Sequence, residues 1–157
     1  MMNNKLLACL LITGFLVPYF ALPQKDVKSL FLSYKSNLGV YESDGYAVRN
    51  VELLPDKNQK ELIEFTVFAG RRYRLILCSS GLGQSLSIEV FDKPEGSLNR
   101  HKVYTNAEEE ESEFYIFEPA KIGTFYIECG LPSSGTTNKK SGKIILIVGL
   151  KEEPGFY

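Results

Sequence analysis

The chain has 157 residues, 44% of them hydrophobic, and a formal net charge of −1. That length supports one domain with a real core and falls short of two ordinary ones. The near-neutral balance gives no electrostatic case for nucleic acid, which needs a basic face, and three cysteines with a single histidine leave too few ligands for a zinc site.

From the N-terminus, Lys5 is the only charge before Lys25. Residues 6–17 are nearly unbroken apolar sequence, and Pro18 and Pro23 follow. This is the length of a secretory signal's apolar region and short for a membrane span. The pattern predicts a signal peptide over residues 1–21, cleaved after Ala21, and a single β-sandwich domain over 22–157. Two alternatives stay open: an uncleaved anchor, and lipidation at Cys9, although there the apolar run follows the cysteine instead of preceding it. The expected compartment is exported: periplasm, cell surface or extracellular space. No later apolar run reaches membrane-spanning length.

Val27, Leu30, Phe31, Tyr34 and Leu38 follow helical spacing, with Asp26 as N-cap and Gly39 as stop. Leu30, Leu32 and Tyr34 also alternate, so a short helix and an extended segment compete for this stretch. A strand is predicted over 46–54, closed by the turn cluster 55–58. Alternation then marks strands over 61–68, 72–77, 85–91, 101–105, 113–117 and 124–129, with turn or loop signals between them. Residues 131–140 read as a polar loop. Residues 144–148 lack alternation, the mark of a central strand buried on both faces.

One pattern occurs twice. Ile63, Phe65 and Val67 alternate up to a turn at Gly70, then Tyr73, Leu75 and Leu77 alternate after it. Tyr115 and Phe117 lead to Gly123, then Phe125 and Ile127. Each copy reads as a pair of antiparallel strands with one buried face. The set predicts an all-β fold, an antiparallel β-sandwich or jelly roll. Its expected core is Phe65, Val67, Tyr73, Leu75, Leu77, Leu86, Ile88, Val90, Phe117, Phe125, Ile127 and Leu146, with Arg72 and Arg74 outward.

Phe65-x-Val67-Phe68-Ala69-Gly70-x-x-Tyr73 and Phe117-x-Pro119-x-x-x-Gly123-x-Phe125 resemble the strand grammar of jelly-roll modules such as the bacterial pre-peptidase C-terminal domain. A closer resemblance is to short exported β-sandwich proteins of Bacteroidetes. It rests on Lys60-Glu61 through Tyr73-Arg74, on Ile88-x-Val90-Phe91-Asp92-Lys93, and on Phe117-Glu118-Pro119. It spans roughly residues 60–150 and implies a fold and a compartment, with no activity attached.

Candidate chemistry is sparse. His101 stands alone between Arg100 and Lys102, with no Gly-x-Ser-x-Gly elbow to serve, and reads as a surface histidine without a carboxylate to orient it. Cys78 and Cys129 are open to bridging after export. A bridge would be worth roughly 3–4 kcal/mol, but their opposite strand parity favours separate thiols. Residues 108–111 are four glutamates, without the interleaved Asp, Asn and Gly of a calcium loop, and read as a solvated loop. Gly81-Leu82-Gly83 lacks the lysine and helix of a phosphate cradle, so no cofactor is implied.

Arg72 and Arg74 point outward together, either to an anionic ligand or partner, or to cross-strand pairing with Glu61 and Glu64. Tyr41, Tyr46, Tyr104 and Tyr115 are the aromatic candidates for a glycan platform, most of them expected in the core. The candidate surface is Arg72, Arg74, Tyr41, Tyr46 and Tyr104. The leading reading is a non-catalytic structural, accessory or protein-binding module of the bacterial envelope. The alternative is a module that binds a glycan or small ligand.

Overall fold

The computed structural model describes residues 26–53, 59–132 and 138–153. The expected signal segment, the turn at 55–58 and much of the polar loop at 131–140 lie outside those residues. The helical reading of the first described segment holds: α1 spans Val27–Lys35 and tightens into a 3-10 turn at Ser36–Leu38. Asp26 precedes it without a side-chain cap; its carbonyl instead accepts the Ser29 hydroxyl at 2.7 Å. Gly39 ends the turn at φ 61°, a left-handed conformation that favours glycine.

Eight strands follow: β1 (Glu42–Leu53), β2 (Glu61–Val67), β3 (Arg71–Ser80), β4 (Ser87–Phe91), β5 (Lys102–Thr105), β6 (Phe114–Phe117), β7 (Gly123–Gly130) and β8 (Lys140–Glu152). They form two four-stranded antiparallel sheets, β1-β8-β3-β6 and β2-β7-β4-β5. First pairs with last, second with seventh, third with sixth and fourth with fifth. That nested pairing is the wrapping of a jelly roll. β1, β3 and β8 outrun their sequence-predicted limits because β8 is paired along nearly its whole length on both sides.

The two strands within each sequence repeat do not pair with each other. β2 and β3 lie in opposite sheets, as do β6 and β7, so each repeat is an arch that crosses the sandwich. Pairing runs between the repeats: Phe65 faces Phe125 in one sheet, and Leu75 faces Phe117 in the other. Alternation specifies which face of a strand is buried; it is satisfied equally by a hairpin and by an arch. Each arch is spanned by an aromatic pair at the same place in the repeat. Phe65 and Tyr73 meet edge-on at 5.3 Å between centroids, and Phe117 and Phe125 at 5.7 Å. Such pairs contribute about 0.5–1.5 kcal/mol beyond their buried area.

The sequence-derived register holds. The expected core residues are buried, apart from Phe65, which is half-buried because β2 is an edge strand. Arg72 and Arg74 face outward. A second apolar cluster lies on the outer face of the first sheet, where Leu30, Tyr34 and Leu38 cover Ile76, Cys78, Ile145 and Ile147. This explains why 144–148 does not alternate: Ile144 and Leu146 enter the main core, while Ile145 and Ile147 lie beneath the helix. Gly149 makes the fit possible, since a Cβ there would stand 2.7 Å from Leu38 and 2.9 Å from Tyr41.

The cysteines are free and buried on different sides of the first sheet, Cys78 under the helix and Cys129 in the main core. Burial pushes both thiols up to about 12. Neither should react with a thiol probe in the native chain near neutral pH, and both should react in denaturant without reductant. Peptide mass spectrometry showing Cys78 bonded to Cys129 would contradict this.

Candidate functional site

The outward arginines of β3 are engaged by their own chain. Arg74 donates from Nε to Glu118 at 2.5 Å and from Nη1 to the Asn37 and Leu38 carbonyls at 3.2 and 3.1 Å. Its guanidinium lies 4.7 Å from the Tyr41 ring centroid, and the Tyr41 hydroxyl donates to Glu118 at 3.3 Å. Burial and the Glu118 carboxylate raise the pKa of that hydroxyl. Arg74 therefore ties the C-terminal end of the helical segment to the sheet, where carbonyls lack partners of their own. Arg72 pairs with Glu153. The expected pairing with Glu61 and Glu64 does not occur, because β2 lies in the other sheet.

The structure brings Tyr41 to Arg74 and leaves the other two tyrosines of the candidate surface apart. Tyr46, on β1, is 46% exposed and stacks on Phe31 at 4.8 Å. Tyr104, opposite Val90, turns inward and packs on Phe117 at 5.4 Å. Tyr115 is buried as well. No shared aromatic platform forms from the four tyrosines.

His101 needs a correction. Asp92 orients it: the His101 amide donates to Oδ1 at 2.8 Å, and Nδ1 lies 3.2 Å from Oδ2. The β4–β5 hairpin brings this carboxylate close, which the flanking residues alone conceal. The histidine side chain is still 69% exposed and stands at a hairpin mouth. Glu108, Glu109 and Glu110 are exposed, as expected for a solvated loop, and Glu111 accepts the Ser85 hydroxyl at 2.7 Å. Among the described residues no group of three or more His, Cys, Asp or Glu is placed to hold a metal ion.

Three features escaped the sequence reading. The first is a charge lattice on the outer face of the second sheet. Lys60 Nζ donates to Glu89 at 2.5 Å and to Glu128 at 2.9 Å; Arg100 also binds Glu128, and Lys102 binds Glu89. The Arg100 guanidinium lies over the Phe91 ring. Glu89 and Glu128 are cross-strand neighbours, a pairing that only the β4–β7 register reveals. The second is a group of apolar side chains on the loops at one end of the sandwich. The third is a cavity of about 770 Å³ toward the opposite end.

No protein-family model matches the chain, and no curated protein matches it. Among solved structures, the chain is similar to PliG of Aeromonas hydrophila, a periplasmic lysozyme inhibitor of g-type lysozyme. The likeness covers 68% of this chain and 87% of that one, at 10% identity and a TM-score of 0.46. The fold itself is a jelly-roll β-sandwich with one helix packed on it. Among the described residues no helix is long and apolar enough to cross a membrane.

The charge lattice makes stability depend on acid. Lys102 and then Lys60 hold Glu89 below the usual carboxylate range. Burial raises Glu128, but Lys60 and Arg100 together outweigh it and hold this carboxyl low as well. Depressed folded values mean that the stabilisation is present above the ordinary glutamate pKa of about 4.3 and is lost as pH falls through the lower folded values. Glu128→Gln should cost about 1–3 kcal/mol at pH 7 and should shrink the loss of urea stability between neutral and acid pH. An unchanged acid loss in that variant would contradict the assignment.

Proposed function

We propose that this protein is a non-catalytic, exported protein-binding module of the bacterial envelope that engages its partner through the loops at one end of the sandwich. The observation that carries the reading is a group of exposed apolar side chains, Val40, Phe68, Leu98 and Ile122, at that end. Val67 faces Gly123, so Phe68 and Ile122 emerge side by side from the two arches. The β4–β5 connection, with Leu98, leaves its sheet at that same end, and Val40 stands just before β1 there. Leu98 is 88% exposed, Val40 75%, Phe68 59% and Ile122 49%. Among the described residues, the loops at the other end carry no exposed large apolar side chain.

Loops held on a rigid sandwich are where binding residues concentrate, and clustered exposed apolar groups mark interaction surfaces. Exposed Arg71 and Lys121 flank Phe68 and Ile122, which suits an apolar partner patch with an acidic rim. The export half of the reading rests on the apolar segment after Lys5. Its resemblance to short exported Bacteroidetes proteins rests on the stretches within residues 60–150. The distant likeness to a lysozyme inhibitor names no partner for this chain; g-type lysozyme is one probe to include.

Capture from envelope extract by the tagged chain, followed by titration of the captured partner, tests the proposal. Phe68→Asp and Leu98→Asp should each weaken binding by about thirtyfold, the loss of a ~2 kcal/mol hot spot, while melting like the parent. Equal binding by parent and variants, or no specific capture by the parent, would overturn the reading.

A further inference from the structure

We propose that Asp44 and Gly45 form a self-modification site, where the folded chain converts Asp44 to isoaspartate through a succinimide. This is the one place in the sequence where an aspartate or asparagine precedes glycine. Glycine matters there because the reacting nitrogen is its own backbone amide, and no Cβ crowds the approach.

β1 holds this pair where its ladder is broken. Ser43 faces Gly149, and Gly45 faces the next residue of β8, Val148, so Asp44 is the extra residue of a bulge. A bulged residue stands outside the regular ladder, without the pairing that fixes its neighbours' dihedrals. β1 is also the edge strand of its sheet, so among the described residues no strand pairs on its other side. Asp44 is exposed, and among the described residues no group hydrogen-bonds or pairs with its carboxylate. At Gly45, φ is 129° and the place a Cβ would take has nothing within 4 Å, so the backbone has room to turn. Asp92 is the contrast: its carboxylate accepts the His101 amide at 2.8 Å and lies 3.2 Å from His101 Nδ1, and Lys93 follows it.

The chemistry needs only water. The Gly45 nitrogen attacks the carboxyl carbon of the Asp44 side chain. A C–N bond forms as the carboxyl loses a hydroxyl and the nitrogen loses its proton, together one water, and a five-membered succinimide results. Hydrolysis returns one water at either ring carbonyl. Opening at the side-chain carbonyl restores aspartate. Opening at the main-chain carbonyl breaks the original peptide bond and leaves the chain running through the side chain. That product is isoaspartate, of unchanged mass, with one extra methylene in the backbone. The added length falls between Ser43 and Gly45, so Glu42 and Ser43 lose their register with Leu150 and Gly149 while the ladder from Gly45 onward is kept. Val40 of the apolar loops and Tyr41, which lies against Arg74, stand just ahead of that break.

The test is prolonged incubation of the full-length chain at neutral pH, folded and in urea, followed by tryptic peptide mapping and labelling with isoaspartyl methyltransferase. The folded chain should yield a second, isobaric and methyl-accepting form of peptide 36–49. It should do so at nearly the rate seen in urea, since an exposed bulge needs no opening. The peptides carrying Asp26 and Asp92 should stay unconverted in the folded chain. Asp44→Glu keeps the charge but demands a six-membered ring; it should abolish the label in peptide 36–49 and melt like the parent. No isobaric form from the folded chain, a rate there at least tenfold below that in urea, which is about 1.4 kcal/mol of protection, or equal labelling of Asp44→Glu would overturn the proposal. The reaction does not depend on what the apolar loops bind, so failure here leaves the protein-binding reading standing.

Discussion

The structure depends on two arches that cross the sandwich and interlock. Each carries its chain from one sheet to the other, β2 to β3 and β6 to β7, and each is braced by an aromatic pair reaching across the core. Because the first strand of one arch pairs with the second strand of the other, neither arch can form its sheet contacts alone. The contacts are long in sequence separation, and closure entropy is spent before they form. Tyr104 extends the aromatic cluster from β5 through Phe117.

Wrapping of this kind decides which surfaces remain for binding. The outer face of the first sheet is covered by the helix, held down by Arg74 and admitted by Gly149. The outer face of the second sheet carries the lattice of Lys60, Glu89, Glu128, Arg100 and Lys102, which pair with one another. The loops lie at the two ends. One end shows apolar tips beside arginine and lysine; toward the other opens the cavity.

Much of the fold was legible because strand alternation reports burial directly. Tyr73, Leu75 and Leu77 inward with Arg72 and Arg74 outward follow from period two, and so does the separation of Cys78 from Cys129. The unalternating run at 144–148 announced a strand covered on both faces. Which strands pair was not legible, since the alternation of Phe65, Val67, Tyr73 and Leu75 suits a hairpin as well as an arch. Everything that depends on pairing was therefore missed: Glu118 and Glu153 as the arginine partners, Asp92 beside His101, and Glu128 beside Glu89. The tyrosines show the same limit. Tyr104 turns inward where a register shift interrupts the β4–β5 ladder, and no composition rule separates it from Tyr41 or Tyr46. The exposed Leu98 and Ile122 lie in loops, where no periodicity exists to mark a side chain as outward.

The interlock of the arches can be tested by cross-linking β2 to β7. Thr66 and Thr124 face each other across these strands, with their hydroxyl oxygens 3.1 Å apart on the exposed face. A chain carrying Thr66→Cys and Thr124→Cys should close a bridge between positions 66 and 124 on mild oxidation, since facing strand neighbours fall within disulfide reach. Peptide mass spectrometry would identify it, and the cross-linked chain should melt at or above the parent's temperature. If no such bridge forms in the folded chain, β2 does not lie beside β7, and the jelly-roll wrapping described here is wrong.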